Sequence, residues 1–341
     1  MAQTRLRDVA DAAGVSIRTV SNVVNGYAPT SEDVRRRVEQ AVKELGYRPN
    51  VLARNLKQGR TGMIALVVPE LDVPYFAELS RAIITMGREH GYTVILDQTD
   101  GEPDREREMV MSKGSAAMFD GIILSPLALS RAELIQRDPA TPLVLLGEHI
   151  AGSGFDHVSI DNVSAAKAAT LHLIDLGRQR VAAIGDQPYE TGETAQLRTQ
   201  GYRLAHRARK CKVDSSLIVP TTRFHYADGA AAMEQLLAHP DGPPGAVFCF
   251  NDLLALGAIR TLLTRGLRVP EDVAVVGFDD IEAGRFNTPS LTTIAPDKEV
   301  IAQLAVKRLL ALIASKGVEH PSDVSAPHQL VVRESTTIGR G

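Results

Sequence analysis

The sequence predicts two fold classes in series: a small all-α head, then a large α/β body built as two lobes. Three observations predict it. Within the first forty-six residues, three stretches of helical apolar spacing each close at a glycine. From Gly62 onward, apolar runs of strand length recur, each followed by a helical stretch. The charge divides at the same place. Residues 1–60 hold eleven Lys or Arg against six acids, a balance of +5, so in a chain of net charge −3 the rest carries −8.

The head follows from residue spacing. Leu6, Val9, Ala10 and Ala13 fall at i, i+3, i+4 and i+7 and make the apolar face of a first helix, which Gly14 ends. Val15 is expected to bury in the turn, and Ser16 to cap the next helix. That helix, Ile17 to Val24, points Val20, Val23 and Val24 inward and shows Ile17, Arg18, Thr19, Ser21 and Asn22; Asn25-Gly26 closes it. A third helix starts near Ser31, carries Val34, Val38, Ala41, Val42 and Leu45, and stops at Gly46. A helix, a tight glycine turn and a short second helix form a helix-turn-helix. A generic three-helix bundle has the same spacing. The Arg, Asn, Ser and Thr on the second helix tip the reading, because these groups read base edges or hold phosphates, and a basic head on an acidic body suits a polyanion. Ile17, Arg18 and Asn22 are therefore expected at base edges, and Leu6, Ser16, Thr19, Ser21, Asn25 and Ser31 at phosphates.

A short segment follows. Pro49 suits the first turn of a helix, and Asn50 to Lys57 spans about two turns, too short to be stable alone in water. It is expected to be disordered off DNA and helical on it. Leu52, Ala53 and Leu56 have little core to enter, and a small residue beside a leucine can wedge a base step open from the minor groove. A plain interdomain linker is the alternative. The run Leu6 to Gly26 and the segment Tyr47 to Leu56 (YRPNVLARNL) together resemble the lactose-repressor (LacI) family, including its hinge helix. The resemblance implies that Asn50, Ala53 and Leu56 meet the minor groove at the centre of a palindromic operator, with a CG step there. It also implies the division 1–48 DNA-binding domain, 49–60 hinge helix or linker, and 61–341 effector-binding and dimerisation domain.

In the body, the strand-length runs are Met63–Val68, Tyr92–Leu96, Gly121–Leu124, Leu143–Leu146, His157–Ile160, Val181–Ile184, Ala246–Phe250 and Val273–Val276. Helices between them include Phe76–Glu89, Ser164–Leu176, Leu253–Thr264 and Val300–Ala314. Alternating strands and helices imply a mostly parallel sheet covered on both faces, and this many units imply two sheets. Ligands bind beyond the carboxyl ends of such strands. The residues there are Asp72, Pro74, Tyr75 and Phe76; Gly147-Glu148; Asn251-Asp252; and Gly277 to Asp280. Carboxylates and amides for hydroxyls, with rings for a ligand face, suit a sugar-sized molecule.

The resemblance extends through this body. Arg198 to Tyr202, Phe250 to Asp252, Ala255 to Gly257, Val276 to Asp280, Leu291 to Ile294 and Leu330 to Ser335 are similar to the family's periplasmic-binding-protein-like core of two Rossmann-like lobes. It implies a lobe N of about 61–160 and 291–320 and a lobe C of about 161–290 and 321–338. It also implies that Arg198, Asn251 and Asp279 bind the effector, that Phe224 stacks on it, and that Tyr75 and Phe76 wall it from the other lobe. With Asp72 and Glu148 these make the expected effector set. Asp252 and Asp280 equally suit helix caps. A sugar or sugar derivative is favoured, but the residues leave open a pentose, a hexose, a disaccharide or a purine, and whether the ligand releases DNA or promotes its binding.

Other functions fit less well. No G-x-S-x-G elbow, H-E-x-x-H, Walker loop or G-x-G-x-x-G occurs, and the nine histidines show no convergent spacing, so no enzyme, metal or cofactor is expected. Cys211 and Cys249 lie in no metal-ligand spacing and suit a reducing compartment. The chain has no apolar run long enough for a membrane span, and the start, Met1 to Asp8, has no apolar signal region. A secreted solute-binding protein would lack the helix-turn-helix head, and an architectural nucleoid protein would have no use for the body. The expectation is a cytoplasmic, nucleoid-associated bacterial repressor that reads a palindromic operator on double-stranded DNA and is switched allosterically by a small molecule. One helix-turn-helix covers one half-site, so a homodimer is expected, with paired hinge helices burying Val51 and Leu52 and an interface through both lobes. Tetrameric relatives carry a leucine-heptad tail; Glu334 to Gly341 contain no leucine, so a dimer rather than a tetramer is expected.

Overall fold

The computed structural model describes residues 4–25, 29–47, 60–150, 154–188, 193–315 and 320–337. The chain divides into two compact units between Thr61 and Gly62. The expected hinge residues Asn50, Ala53 and Leu56 lie outside the described residues, as do Val51 and Leu52.

The head consists of α1 (Leu6–Ala13), α2 (Ile17–Asn25) and α3 (Glu32–Glu44). Val9, Ala10, Ala13, Val20, Val38 and Ala41 form its buried core, with Leu6, Val15, Val23, Val24, Val34 and Val42 packed around them. The turn between α1 and α2 depends on Gly14. Its φ of 62° is left-handed, where a side chain is strained, and its N–H closes α1 on the Ala10 and Asp11 carbonyls. Arg37 of α3 donates to the Ala13 carbonyl at 3.2 Å, tying the third helix to the same turn.

The body contains two six-stranded sheets. One holds β1 (Met63–Val68), β2 (Thr93–Gln98), β3 (Gly121–Leu124), β4 (Leu143–Leu146), β5 (Asp156–Ile160) and β11 (Asp323–Ala326), in the order β11-β5-β4-β3-β1-β2, all parallel. The other holds β6 (Val181–Asp186), β7 (Ile218–Pro220), β8 (Ala246–Cys249), β9 (Ala274–Phe278), β10 (Thr292–Pro296) and β12 (His328–Val331), in the order β12-β10-β9-β8-β6-β7, with only β12 antiparallel. The central strands are apolar along their length because helices cover both faces. β3, β4 and β8 are buried throughout, whereas edge strand β2 alternates exposed and half-buried.

Helices α4 (Pro74–Glu89), α5 (Pro103–Met111), α6 (Lys113–Met118), α7 (Arg131–Gln136) and α13 (Lys298–Ser315) belong with the first sheet. Helices α8 (Asn162–Asp175), α9 (Glu193–Ala208), α10 (Tyr226–Leu237), α11 (Asp252–Thr264) and α12 (Glu282–Phe286) belong with the second. Among the described residues no helix is long and apolar enough to cross a membrane.

The lobe boundaries differ from those the resemblance implied. Residues 292–296 form β10 in the second sheet, not the first, and residues 323–326 form β11 in the first sheet, not the second. The chain therefore crosses between lobes near Asp161, Asp297 and Pro327. The physical reason is pairing: β10 is hydrogen-bonded to β9, and β11 to β5.

Candidate functional site

In the head, α2 shows the expected face. Ile17 is 46% exposed, Arg18 is exposed, and Ser21 and Asn22 are half-buried. Ser16 caps the helix: its hydroxyl accepts the Thr19 N–H at 3.1 Å and lies 2.9 Å from the Thr19 hydroxyl. Ser31 precedes α3 without a side-chain cap bond and is exposed. Leu6, the first residue of α1, is partly buried against the core. Arg36 and Arg37 are drawn to Asp33 at 3.1 and 3.3 Å.

In the body, a cleft of about 380 Å³ opens between the lobes beyond the carboxyl ends of both sheets. Both sheets reverse strand order there, between β1 and β3 and between β6 and β8, which is where open α/β sheets bind ligands. Tyr75, Phe76, Glu148, Arg198, Phe224, Asn251 and Asp279 all line it. Asp72 does not: it lies exposed on the loop after β1, while Val73, next along, buries with Leu253 and Ile281 of the other lobe. Closeness in sequence to the end of β1 placed it wrongly, because the loop turns its side chain to solvent.

Arg198 is set by close helix packing. A Cβ at Gly201, one turn on, would sit 2.4 Å from the Val163 carbonyl and 2.7 Å from Ala166, so α9 can approach α8 this closely only with glycine there. The guanidinium then donates from Nε to Asn162 Oδ1 at 2.8 Å and from Nη1 to the Phe250 carbonyl, and lies 3.6 Å over the Phe278 ring. Burial pulls its pKa down, and Asp279 and Glu148 oppose that. Asn251 is committed to structure as well as to the cleft. Its Oδ1 caps α11 through the Leu254 N–H, and its Nδ2 holds the Phe224 carbonyl, both at 2.9 Å.

Asp279 and Asp280 split. Asp280 turns to Arg285 at 2.7 Å and Arg333 at 2.6 Å. Asp279 faces the cleft, is 8% exposed, and its carboxylate accepts no hydrogen bond among the described residues. Burial pushes it up to about 7, although Arg198 and Lys298 pull the other way. Both residues have positive φ, 113° and 50°, a strained pair beside the cleft. The Lys298 ammonium holds their carbonyls and pairs with Glu78 at 2.9 Å. Asp252 lies deeper; Thr293 and the Ile281 N–H hold its carboxyl at 2.6 and 2.9 Å, and burial drives it well above the usual carboxylate range.

Several cleft residues went unrecognised in the sequence. Glu70 meets His225 at 3.0 Å and His149 meets Glu193 at 2.9 Å, each pair joining one lobe to the other. The second ring nitrogen of His149 faces the Leu129 carbonyl at 2.7 Å. Thr194 donates to Glu148 at 3.1 Å. A signal for the last group existed: Ala195, Thr199, Tyr202 and His206 are buried at helical spacing, which would have placed Glu193 and Thr194 at a helix start. Among the described residues no cluster of three or more His, Cys, Asp or Glu could hold a metal ion.

Comparison with known proteins agrees with this geometry. Residues 5–50 match the family model for bacterial regulatory proteins of the lacI family, and residues 170–336 match that of a periplasmic binding protein-like domain. The ribose operon repressor of Escherichia coli strain K12 is 36% identical over 310 residues, which cover 89% of this chain and 92% of that one. A lac repressor dimer, solved bound to operator and the anti-inducer ONPF, is 27% identical with a TM-score of 0.84, covering 99% of this chain and all of that one. A transcriptional regulator, CelR, solved as a cellobiose complex, is 32% identical with a TM-score of 0.71, covering 98% of this chain and all of that one.

Proposed function

Because this chain belongs to the lacI family of bacterial regulatory proteins, it is a DNA-binding transcriptional regulator controlled by a small molecule, and we propose that its interlobe cleft takes a sugar or sugar derivative. The observation that carries this is Asp279. A buried carboxylate with no hydrogen bond among the described residues, held opposite a guanidinium with N–H groups to spare, is a matched acceptor and donor for neighbouring hydroxyls. Tyr75 and Phe76, with ring centroids 5.3 Å apart and edge to face, supply apolar wall from one lobe, and Phe224 supplies it from the other. Relatives named for ribose and solved with cellobiose support the same class.

On this reading Ile17, Arg18 and Asn22 read bases in the major groove. Leu6, Ser16, Thr19, Ser21, Asn25 and Ser31 lie along the phosphates, and Asn50, Ala53 and Leu56 enter the minor groove. The protein acts as a homodimer repressor on a palindromic operator in the bacterial cytoplasm, and is not an enzyme. Fluorescence anisotropy on operator DNA, with and without sugars, tests the site. Asp279→Asn should bind operator as the parent does while its effector affinity drops at least about tenfold, since bonds to a charged acceptor are the stronger ones. A variant that still responds normally would move the effector site elsewhere.

A further inference from the structure

We infer that the effector is an uncharged polyol, a sugar bearing neither phosphate nor carboxylate nor amine. The inference rests on the cleft being the effector site, as proposed above. It comes from the cleft's inventory of charge. Five carboxylates line it among the described residues, those of Glu70, Asp100, Glu148, Glu193 and Asp279, against two arginines, Arg198 and Arg223.

Neither arginine is well placed to hold an anion. Arg223 is exposed at the rim, where water and salt screen it. Arg198 is the buried one, and Asn162 and the Phe250 carbonyl already fix two of its N–H groups. Asp279 and Glu148 line the same cleft, and both oppose the burial that pulls this guanidinium's pKa down. A phosphate brought to Arg198 would come to rest beside two carboxylates in a desolvated site. Like charges placed together in such a site cost several-fold to many-fold in affinity, and burying an ion without its own partner adds to that.

A cation gains little either. Glu70 lies 3.0 Å from a His225 ring nitrogen and Glu193 2.9 Å from one of His149, Asp100 pairs with Arg105, and Glu148 accepts from Thr194 at 3.1 Å. Only Asp279 stands without a bond among the described residues, and Arg198 and Lys298 both bear on it. The cleft's other carboxylates are thus already engaged, with one acceptor and one donor set left open. Hydroxyls satisfy both without bringing charge.

Calorimetry on the full-length protein tests this with defined probes: D-ribose, D-glucose and cellobiose, against ribose 5-phosphate, glucose 6-phosphate, glucuronate and glucosamine. At least one uncharged sugar should bind, and its phosphate or uronate should bind on the order of a hundredfold more weakly. Glu148→Gln, which keeps the shape and removes one carboxylate, should narrow that gap about tenfold; an unchanged gap would overturn the role given to Glu148. A charged member binding more tightly than its parent sugar, with the binding still lost in Asp279→Asn, would overturn the inference and leave the effector site standing. Binding by none of the probes, or binding indifferent to Asp279→Asn, would overturn the effector site itself.

Discussion

Asp279→Asn should make the body more stable, and the gain should grow with pH. Asp279 is 8% exposed and titrates at about 7 because burial disfavours its charged form more than Arg198 and Lys298 favour it. In the unfolded chain the same group titrates near its ordinary 3.8. Between those two values the folded protein holds a proton the unfolded chain has lost, so stability falls as pH rises through this window and levels off above about 7. At pH 8 the charged carboxylate costs the fold on the order of 4 kcal/mol, and at pH 5 on the order of 1–2 kcal/mol.

Asparagine has the same shape, carries no charge, and is among the side chains that best tolerate positive φ, here 113°. Urea unfolding of parent and variant at pH 5 and pH 8 isolates the effect, because every other titrating group is common to both. The stability difference should widen by about 2–3 kcal/mol from the lower pH to the higher. A difference independent of pH, or a variant less stable at pH 8, would refute the claim that this carboxylate is kept in the site against the stability of the fold.

Three further outcomes are expected. Effector hydroxyls donating to Asp279 favour its ionised form, so effector affinity should fall roughly tenfold per pH unit below about 7; calorimetry in buffers of different ionisation enthalpy should register proton release on binding, and no release would count against the contact. Arg18→Ala should relax preference at one base pair of each half-site by about 1–3 kcal/mol, and an unchanged binding-site profile from selection on random DNA would remove Arg18 from base reading. Gly201→Ala should destabilise: helix propensity returns about 1 kcal/mol, but a Cβ 2.4 Å from the Val163 carbonyl forces α8 and α9 apart at about 1–3 kcal/mol or more, and a thermal scan showing a raised midpoint would contradict the packing argument.

What the sequence disclosed was mostly local. Strands β3, β4 and β8 read clearly because a strand covered on both faces must be apolar at every position. Asn251 and Asp279 were legible because they lie just beyond the ends of β8 and β9, where ligands gather. Pairing was not legible. Nothing in Thr292 to Pro296 or Asp323 to Ala326 says which sheet each joins, and β11, with only Ala326 buried, has almost no apolar pattern to read. Buried charge was also invisible. Glu106 reads as a solvated residue in the charged run Pro103 to Met111, yet it is wholly buried. Its carboxylate accepts the N–H groups of Leu127, Ala128 and Leu129 at 2.8–3.1 Å, fixing a loop whose Leu127 lines the cleft. Such a bond network depends on what folding brings near, and spacing along one helix carries no trace of it.

The interlobe contacts explain why so small a ligand can act as a switch. For an effector to change DNA affinity tenfold, it must prefer one lobe arrangement over another by about 1.4 kcal/mol. A lobe interface much stronger than that would hold one arrangement whatever was bound. Here the lobes are joined by a small apolar cluster, Val73 with Leu253 and Ile281, and by pairs such as Glu70–His225 and His149–Glu193. The side chains in those pairs are between 12% and 39% exposed, a setting in which even a charged pair would contribute only about 0–1 kcal/mol. The three chain crossings near Asp161, Asp297 and Pro327 keep the lobes together covalently, so these weak contacts need only bias their angle. On the proposed effector site, a single charge-assisted bond to Asp279, worth about 1.5–3 kcal/mol, would then be enough to decide it. On that reading, the carboxylate without a hydrogen bond among the described residues costs the fold stability and would also give the ligand its leverage.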